Sequence, residues 1–339
     1  MTARQAPGVL FRVAAGPRIG FGHLLRCRAL SRALHARPSV SLRGGAVARR
    51  AARMLGCELT RPDARRLRTI DLVVVDDPSP RHAADWLRRA RRAGAPTATI
   101  HDLGVGSRAA DLIVDGSITH LDARCSPRTL RGPRFTVLDS RVAGAREARG
   151  RRRTSPGQSR VPLILVALGG GSHVQRLAPA LAAEIARRCP HATIRIARGF
   201  TPCAPPALPA GARWMTRHNG LARDLVACDV VVTAGGVTLY EACAIGAPAV
   251  ALAVVPGQRP AVAAFAARGA VVDAGALDAG VVTLRRAAAA VAQLLGDPAA
   301  RRRCSRLARG LVDGLGAARV ADRLQALARQ AAERKHGHV

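Results

Sequence analysis

The sequence predicts an α/β protein built from two open parallel-sheet domains that face a cleft. Three observations carry this. The chain has 339 residues, long for one domain and comfortable for two. Apolar strand-like runs alternate with segments of helical period along most of its length. The alternation breaks once, at an Arg-, Gly-, Ser- and Pro-rich stretch over residues 146–160, and then restarts.

Taken in order, Val9–Ala14 reads as a strand, and Leu24–His35 places Leu24, Cys27, Leu30 and Leu34 near one helical face. Asp71–Val75 is a near-continuous apolar run, as expected of a strand buried on both faces. Ala83–Ala93 reads as a helix, and Thr97–Ile100 and Asp111–Val114 as strands. These form a first domain over residues 1–145, followed by an exposed basic linker over 146–160. A second domain over 161–339 repeats the scheme. Its strands are Val161–Leu168, Thr193–Ala197, Val230–Thr233 and Val250–Val254, and its helices Leu177–Arg188, Thr238–Ile245 and Ala261–Arg268. From Val281 the chain reads as three Arg-studded amphipathic helices, broken near Pro298 and Gly314–Gly316. Ligands of such sheets bind beyond the carboxyl ends of the strands.

Composition narrows the class. Hydrophobic residues are 48% and aromatics only 2%, so Ala, Val and Leu must fill the core. No run approaches the ~18–20 apolar residues of a membrane span, and Met1–Leu10 lacks the apolar centre of a signal peptide, so a cytoplasmic protein is expected. Eight scattered cysteines without a C-x-x-C pair point to neither a zinc site nor a disulfide framework; no metal and no cofactor is expected. Lys plus Arg number 54 against 22 Asp plus Glu, a net charge of +32. Lys335 is the only lysine, a skew that fits codon bias towards Arg. The charge would also suit peripheral contact with an anionic membrane or nucleic acid. Nucleic acid is disfavoured, because aromatic stacking platforms are nearly absent.

Four glycine-bearing turns follow predicted strands. Gly20-Phe21-Gly22-His23 opens the first helix; its glycines permit a tight turn, and histidine is the side chain suited to taking a proton near neutral pH. Leu168-Gly169-Gly170-Gly171-Ser172 lacks the G-K-[ST] ending of a P-loop and the G-x-G-x-x-G of dinucleotide sites. Ala234-Gly235-Gly236-Val237-Thr238-Leu239-Tyr240-Glu241 ends a strand and begins a helix, whose N–H groups can hold a diphosphate without metal. Glu241, one turn in, could accept ribose hydroxyls or simply favour the helix start. Pro256-Gly257-Gln258 would sit beside it, with Gln258 able to donate to phosphate or sugar oxygens. Asp76-Asp77 and His101-Asp102 follow first-domain strands; they could orient a histidine or bind sugar, and helix capping is the preferred reading.

In this order the pieces resemble the GT-B superfamily of nucleotide-sugar enzymes. More narrowly they are similar to the hydrolases of pseudaminic acid biosynthesis that act on UDP-2,4-diacetamido-2,4,6-trideoxy-β-L-altropyranose, relatives of the MurG glycosyltransferases. The matching text runs Ile19–Cys27, Leu72–Asp77, His101–Leu103, Arg131–Phe135, Leu168–Ser172, Ala227–Asp229, Ala234–Glu241 and Gln258–Pro260. Val237, Gly257 and His173 stand where the family usually has Ser, Asn, and Asp or Asn. The resemblance implies two Rossmann-like domains in a GT-B-like arrangement. It implies His23 as the base that activates water, and a UDP-sugar substrate held around Gly235, Gly236, Thr238 and Glu241. Gly20, Gly22, Gly170, Gly171, Ser172 and Gln258 complete the expected binding set, and Arg26 is the cation expected to assist the leaving diphosphate. The expected reaction is hydrolysis at the anomeric carbon. The alternatives are glycosyl transfer to an acceptor hydroxyl on the same fold, and a non-catalytic basic protein that binds nucleotides or nucleic acid. Oligomeric state is left open.

Overall fold

The structure is a computed structural model, and it describes residues 8–101, 109–154, 161–202, 204–216, 220–277 and 280–336. They form two units: Met1–Ser140 with Leu315–Val339, and Arg141–Gly314. Asp102 and Leu103, and the end of the expected linker over 155–160, lie outside the described residues.

The first unit holds seven parallel strands in the order β3-β2-β1-β4-β5-β6-β7. They are β1 (Val9–Ala14), β2 (Ser39–Arg43), β3 (Glu58–Leu59), β4 (Leu72–Asp76), β5 (Thr97–His101), β6 (Leu112–Asp115) and β7 (Thr129–Arg131). Helices α1 (Gly22–Ala33), α2 (Ala46–Met54), α3 (Ala64–Arg68) and α4 (Pro80–Arg92) cross between the first five strands. Every residue of β4 is buried, as its unbroken apolar run requires. Leu10, Val73 and Val75 pack with Leu67, Ala83, Trp86, Leu87 and Ala90 under α3 and α4.

The second unit begins with α5 (Arg141–Thr154) and holds six parallel strands in the order β10-β9-β8-β11-β12-β13. These are β8 (Leu163–Ala167), β9 (Thr193–Ala197), β10 (Ala212–Met215), β11 (Val230–Ala234), β12 (Ala249–Ala253) and β13 (Val272–Ala276). Helices α6 (His173–Arg188), α7 (Ala222–Ala227), α8 (Val237–Ile245), α9 (Arg259–Ala266), α10 (Val281–Gly296) and α11 (Pro298–Leu311) surround them. Its core is aliphatic: Ile164, Val166, Leu181, Ile185, Val232, Leu252, Ala287 and Val291 are fully or almost fully buried.

Strand order reverses once in each sheet, between β1 and β4 and between β8 and β11. The turns after β1 and β4 therefore share one spot at the carboxyl edge of the first sheet, and those after β8 and β11 do so in the second. All four carry sequence-predicted motifs.

Two expectations are corrected. The stretch read as an exposed linker from 146 is helical through Thr154. Two of its arginines bind backbone: Arg146 donates to Ala244 O, Val312 O and Arg309 O at 2.8–3.1 Å. Arg149, buried, donates to Gly246 O, Leu225 O, Val226 O and Cys228 O at 2.6–2.9 Å. These carbonyls close α7, α8 and α11, where helix ends lack intrahelical donors and carry partial negative charge. The second correction concerns the last helix, α12 (Gly316–His336), expected in the second domain; it belongs to the first unit and packs on α1. A Cβ at Gly316 would overlap the Thr136 backbone, so only glycine lets the helix start there.

Candidate functional site

The G-x-G-H turn of the first unit is closed by a two-way bond between Gly16 and Gly20, with N···O distances of 3.1 and 2.7 Å. Gly20 sits at φ +92°, a conformation that L side chains rarely adopt. The turn delivers Gly22 to the start of α1 and His23 to its first turn. Arg26 follows three residues later on the same face.

Both side chains converge on Asp76, the last residue of β4. His23 Nδ1 lies 2.7 Å from Asp76 Oδ1. Arg26 grips the same carboxylate as a fork, Nε to Oδ2 and Nη2 to Oδ1, each at 2.8 Å. Exposures are 14% for His23, 5% for Arg26 and 3% for Asp76, so the dyad is almost dry with one partly open member. Burial alone would raise the Asp76 carboxyl pKa. The charges and hydrogen bonds of Arg26 and His23 outweigh it and hold the carboxyl well below its usual range. An ionised Asp76 accepts a proton-bearing Nδ1, which leaves Nε2 with the free lone pair. Arg26 Nη2 also lies 2.7 Å from Nδ1, but both atoms carry hydrogen in this tautomer, so the bond that holds the ring is the one to Asp76.

Arg26 is thus placed differently from the expectation that it assists a leaving group: it is spent on Asp76. Asp76 also departs from the capping reading, since it orients His23 and caps nothing. Asp77 does meet that reading in part, accepting from Ser79 N–H at 3.0 Å just before α4, and Arg43 grips it as well.

In the second unit, Gly169 (φ +97°) turns the chain out of β8. His173, at the start of α6, has Nε2 2.8 Å from Leu168 O, so it ties the turn shut. Gly170 O accepts from Phe200 N–H (3.3 Å) and Thr201 Oγ1 (3.4 Å), Gly171 is buried and Ser172 is exposed. After β11, Gly235 has no room for a side chain: a Cβ would come within 2.7 Å of Val262 Cγ2 and 2.9 Å of Gln258 Cβ. Gly236 stands at the N-cap of α8. Gln258 accepts Val254 N–H on Oε1 at 2.9 Å, which turns its NH₂ away; that Nε2 lies 3.7 Å from where a Gly236 Cβ would be. Gly235, Gly236 and Gln258 therefore meet around the N-terminus of α8. Thr238 and Glu241 follow on its first turns, both half-buried. Such a helix start presents unpaired N–H groups, and the Gln258 amide adds two donors. Among the described residues, no group of three or more His, Cys, Asp or Glu is arranged to hold a metal ion.

The sequence matches no protein-family model and no curated protein. Solved structures do match. The spinosyn forosaminyltransferase SpnP superposes with a TM-score of 0.65 at 16% identity, covering 96% of this chain and 100% of that one. MurG of Acinetobacter baumannii gives 0.59 at 15%, covering 94% and 100%. UDP-GlcNAc 2-epimerase of Neisseria meningitidis, bound to UDP-GlcNAc, gives 0.58 at 10%, covering 94% and 99%. The chain has the GT-B fold. Within a GT-B chain, the His23 turn belongs to the N-terminal unit and the α8 turn to the C-terminal unit.

The sequence offered Asp76 as able to orient a histidine but favoured capping, and the grip of Arg26 on it was not foreseen. A His-x-x-Arg pair on one helical face, with an aspartate ending the strand next to β1, is its sequence signal.

Proposed function

We propose that this GT-B protein transfers a sugar from a UDP-linked donor to an acceptor hydroxyl, with His23 as general base. The observation that carries this is the 2.7 Å contact between His23 Nδ1 and Asp76 Oδ1, which supports a proton on Nδ1 and a basic lone pair on Nε2. In this reading Nε2 takes the acceptor proton as its oxygen attacks the anomeric carbon. Asp76 steadies the imidazolium that forms, and Arg26 keeps Asp76 ionised without touching substrate. Within the second unit, the helix N–H groups at the α8 N-terminus and Gln258 Nε2 are suited to meet the charge of a diphosphate with no metal required. The glycosyltransferases SpnP and MurG lend support through fold.

A second reading has water as the acceptor. What favours it is the run Ile19–Cys27 together with the later motifs, which resembles the pseudaminic-acid-pathway hydrolases. The dyad performs the same proton transfer in both. Incubation of the purified protein with a panel of UDP-sugars separates them: UDP and free sugar released without acceptor indicate the hydrolase, while UDP release that waits for an added acceptor indicates the transferase. In either case His23→Ala is expected to lower turnover by about two to four powers of ten while a UDP-induced thermal shift persists. Unchanged turnover removes His23 from the mechanism.

A further inference from the structure

A second charged cluster lies on the other side of the first sheet. Side chains alternate along a strand, and Arg12 pairs in register with Val75, so it faces the α4 side, away from Asp76. Its guanidinium is poorly satisfied. Nη1 reaches Ser41 O and Ser41 Oγ only at 3.4 Å each, and Nε is buried without a hydrogen bond among the described residues. The nearest carboxylate, Asp77, stands 3.9 Å from Nε and is already taken: Arg43 holds it by Nε (2.8 Å) and Nη2 (2.5 Å), and Ser79 N–H adds a third bond. Arg12 and Arg89 both lie over the Trp86 ring, 5.0 and 4.6 Å from its centre.

Arg12 and Arg43 thus share one carboxylate, and Arg89, itself exposed, adds a third positive charge over Trp86, an excess of two beside an Arg12 side chain only 11% exposed. A buried cation with orphan N–H groups is unfavourable unless an anion completes it. The strain shows in Arg12 itself: burial lowers its pKa, and the charges of Arg43 and Arg89 lower it further, against the opposing pull of Asp77.

We propose that Arg12, Arg43 and Arg89 form a binding site for a dianionic phosphate group, free or carried on a monoester. The double charge matches the excess, guanidinium forks match phosphate geometry, and the Ser41 hydroxyl offers one more contact. Arg43, 28% exposed, opens the way in from solvent. This site is separate from the catalytic reading above and does not depend on it.

The test is thermal unfolding of the whole chain in inorganic phosphate against chloride at matched ionic strength. Wild type is expected to be stabilised in a saturable way, and Arg12→Met to bind phosphate roughly ten- to hundredfold more weakly. Asp77→Asn is expected to do the opposite, strengthening the response by removing the one competing anion. Arg43→Gln supplies an independent check should Asp77→Asn fail to fold, because it frees Asp77 to pair with Arg12 and abolishes the response. Gly236→Ala, in the α8 turn, is expected to respond like wild type. A wild type indifferent to phosphate, equal responses in wild type and Arg12→Met, or a response lost in Gly236→Ala, each overturns the proposal. Glucose 6-phosphate acting more strongly than inorganic phosphate assigns the site to a carried phosphate; equal action assigns it to the free ion.

Discussion

Take away the Asp76 carboxylate and two cationic or proton-seeking groups, Arg26 and His23, are left side by side in a nearly dry site. Removing one partner of a buried pair costs about 3–5 kcal/mol. Asp76→Asn is therefore expected to lower thermal stability sharply and also to cut turnover, because the amide no longer selects the His23 tautomer. The acid limb follows from the same contact. Folding depresses the Asp76 pKa below its unfolded value of about 3.9, so its stabilisation is complete above that pH and drains away as pH falls below it. Urea midpoints measured downward from pH 6 should fall faster in wild type than in Asp76→Asn. His23 stood out in the sequence because it follows Gly20 and Gly22 at a strand-to-helix turn. The contact of Asp76 with His23 was only an alternative, because an aspartate ending a strand is more often a cap, and only the neighbouring positions of β1 and β4 bring α1 above it.

At the scale of elements, α5 and α8 obey the same rule from opposite ends. The N-terminus of α8 is left open by two glycines, while the C-termini of α7 and α8 are closed by Arg149. Replacing that guanidinium by the similar volume of Arg149→Met leaves four carbonyls without it, and the second unit should lose roughly 1–3 kcal/mol in chemical unfolding. Gly235→Ala tests the other end. Its methyl must displace Val262 or Gln258, so it should lower stability by about 1–3 kcal/mol and weaken any UDP-induced thermal shift. Strands β2, β3, β7, β10 and β13, shorter or less apolar, were not foreseen, whereas the strands that flank the turns could be read from apolar period and glycine placement. Helix α5 could not, since a window of Arg, Gly and Glu looks solvated until the carbonyls it serves, some 76–166 residues away, are known.

Across the whole molecule, the two parallel sheets each reverse strand order once, and each reversal gathers a pair of motifs. Alternation and the glycines foretold the parallel sheets and the turns, not the strand order that brings those turns together. What the pattern concealed is the return of the chain to its first unit. Val320, Leu324 and Ala321 of α12 are buried there, beside Leu24, Cys27 and Leu30 of α1. A chain ended after Gly314 should keep the unfolding transition of its second unit and lose or greatly weaken that of its first, as read by calorimetry. The net charge of +32 belongs to this scale as well: adsorption to unrelated polyanions is expected to fall steeply with added salt, while the UDP-induced shift should change far less.

The α12 return also sets a timetable. A ribosome releases the amino-terminal strands early, yet the helix that seals them emerges only after every residue of the intervening body has been made. Translation thus hands the cell a half-covered sheet that must wait for its closing segment, and α1, which carries His23, gains its cover only once α12 has been made.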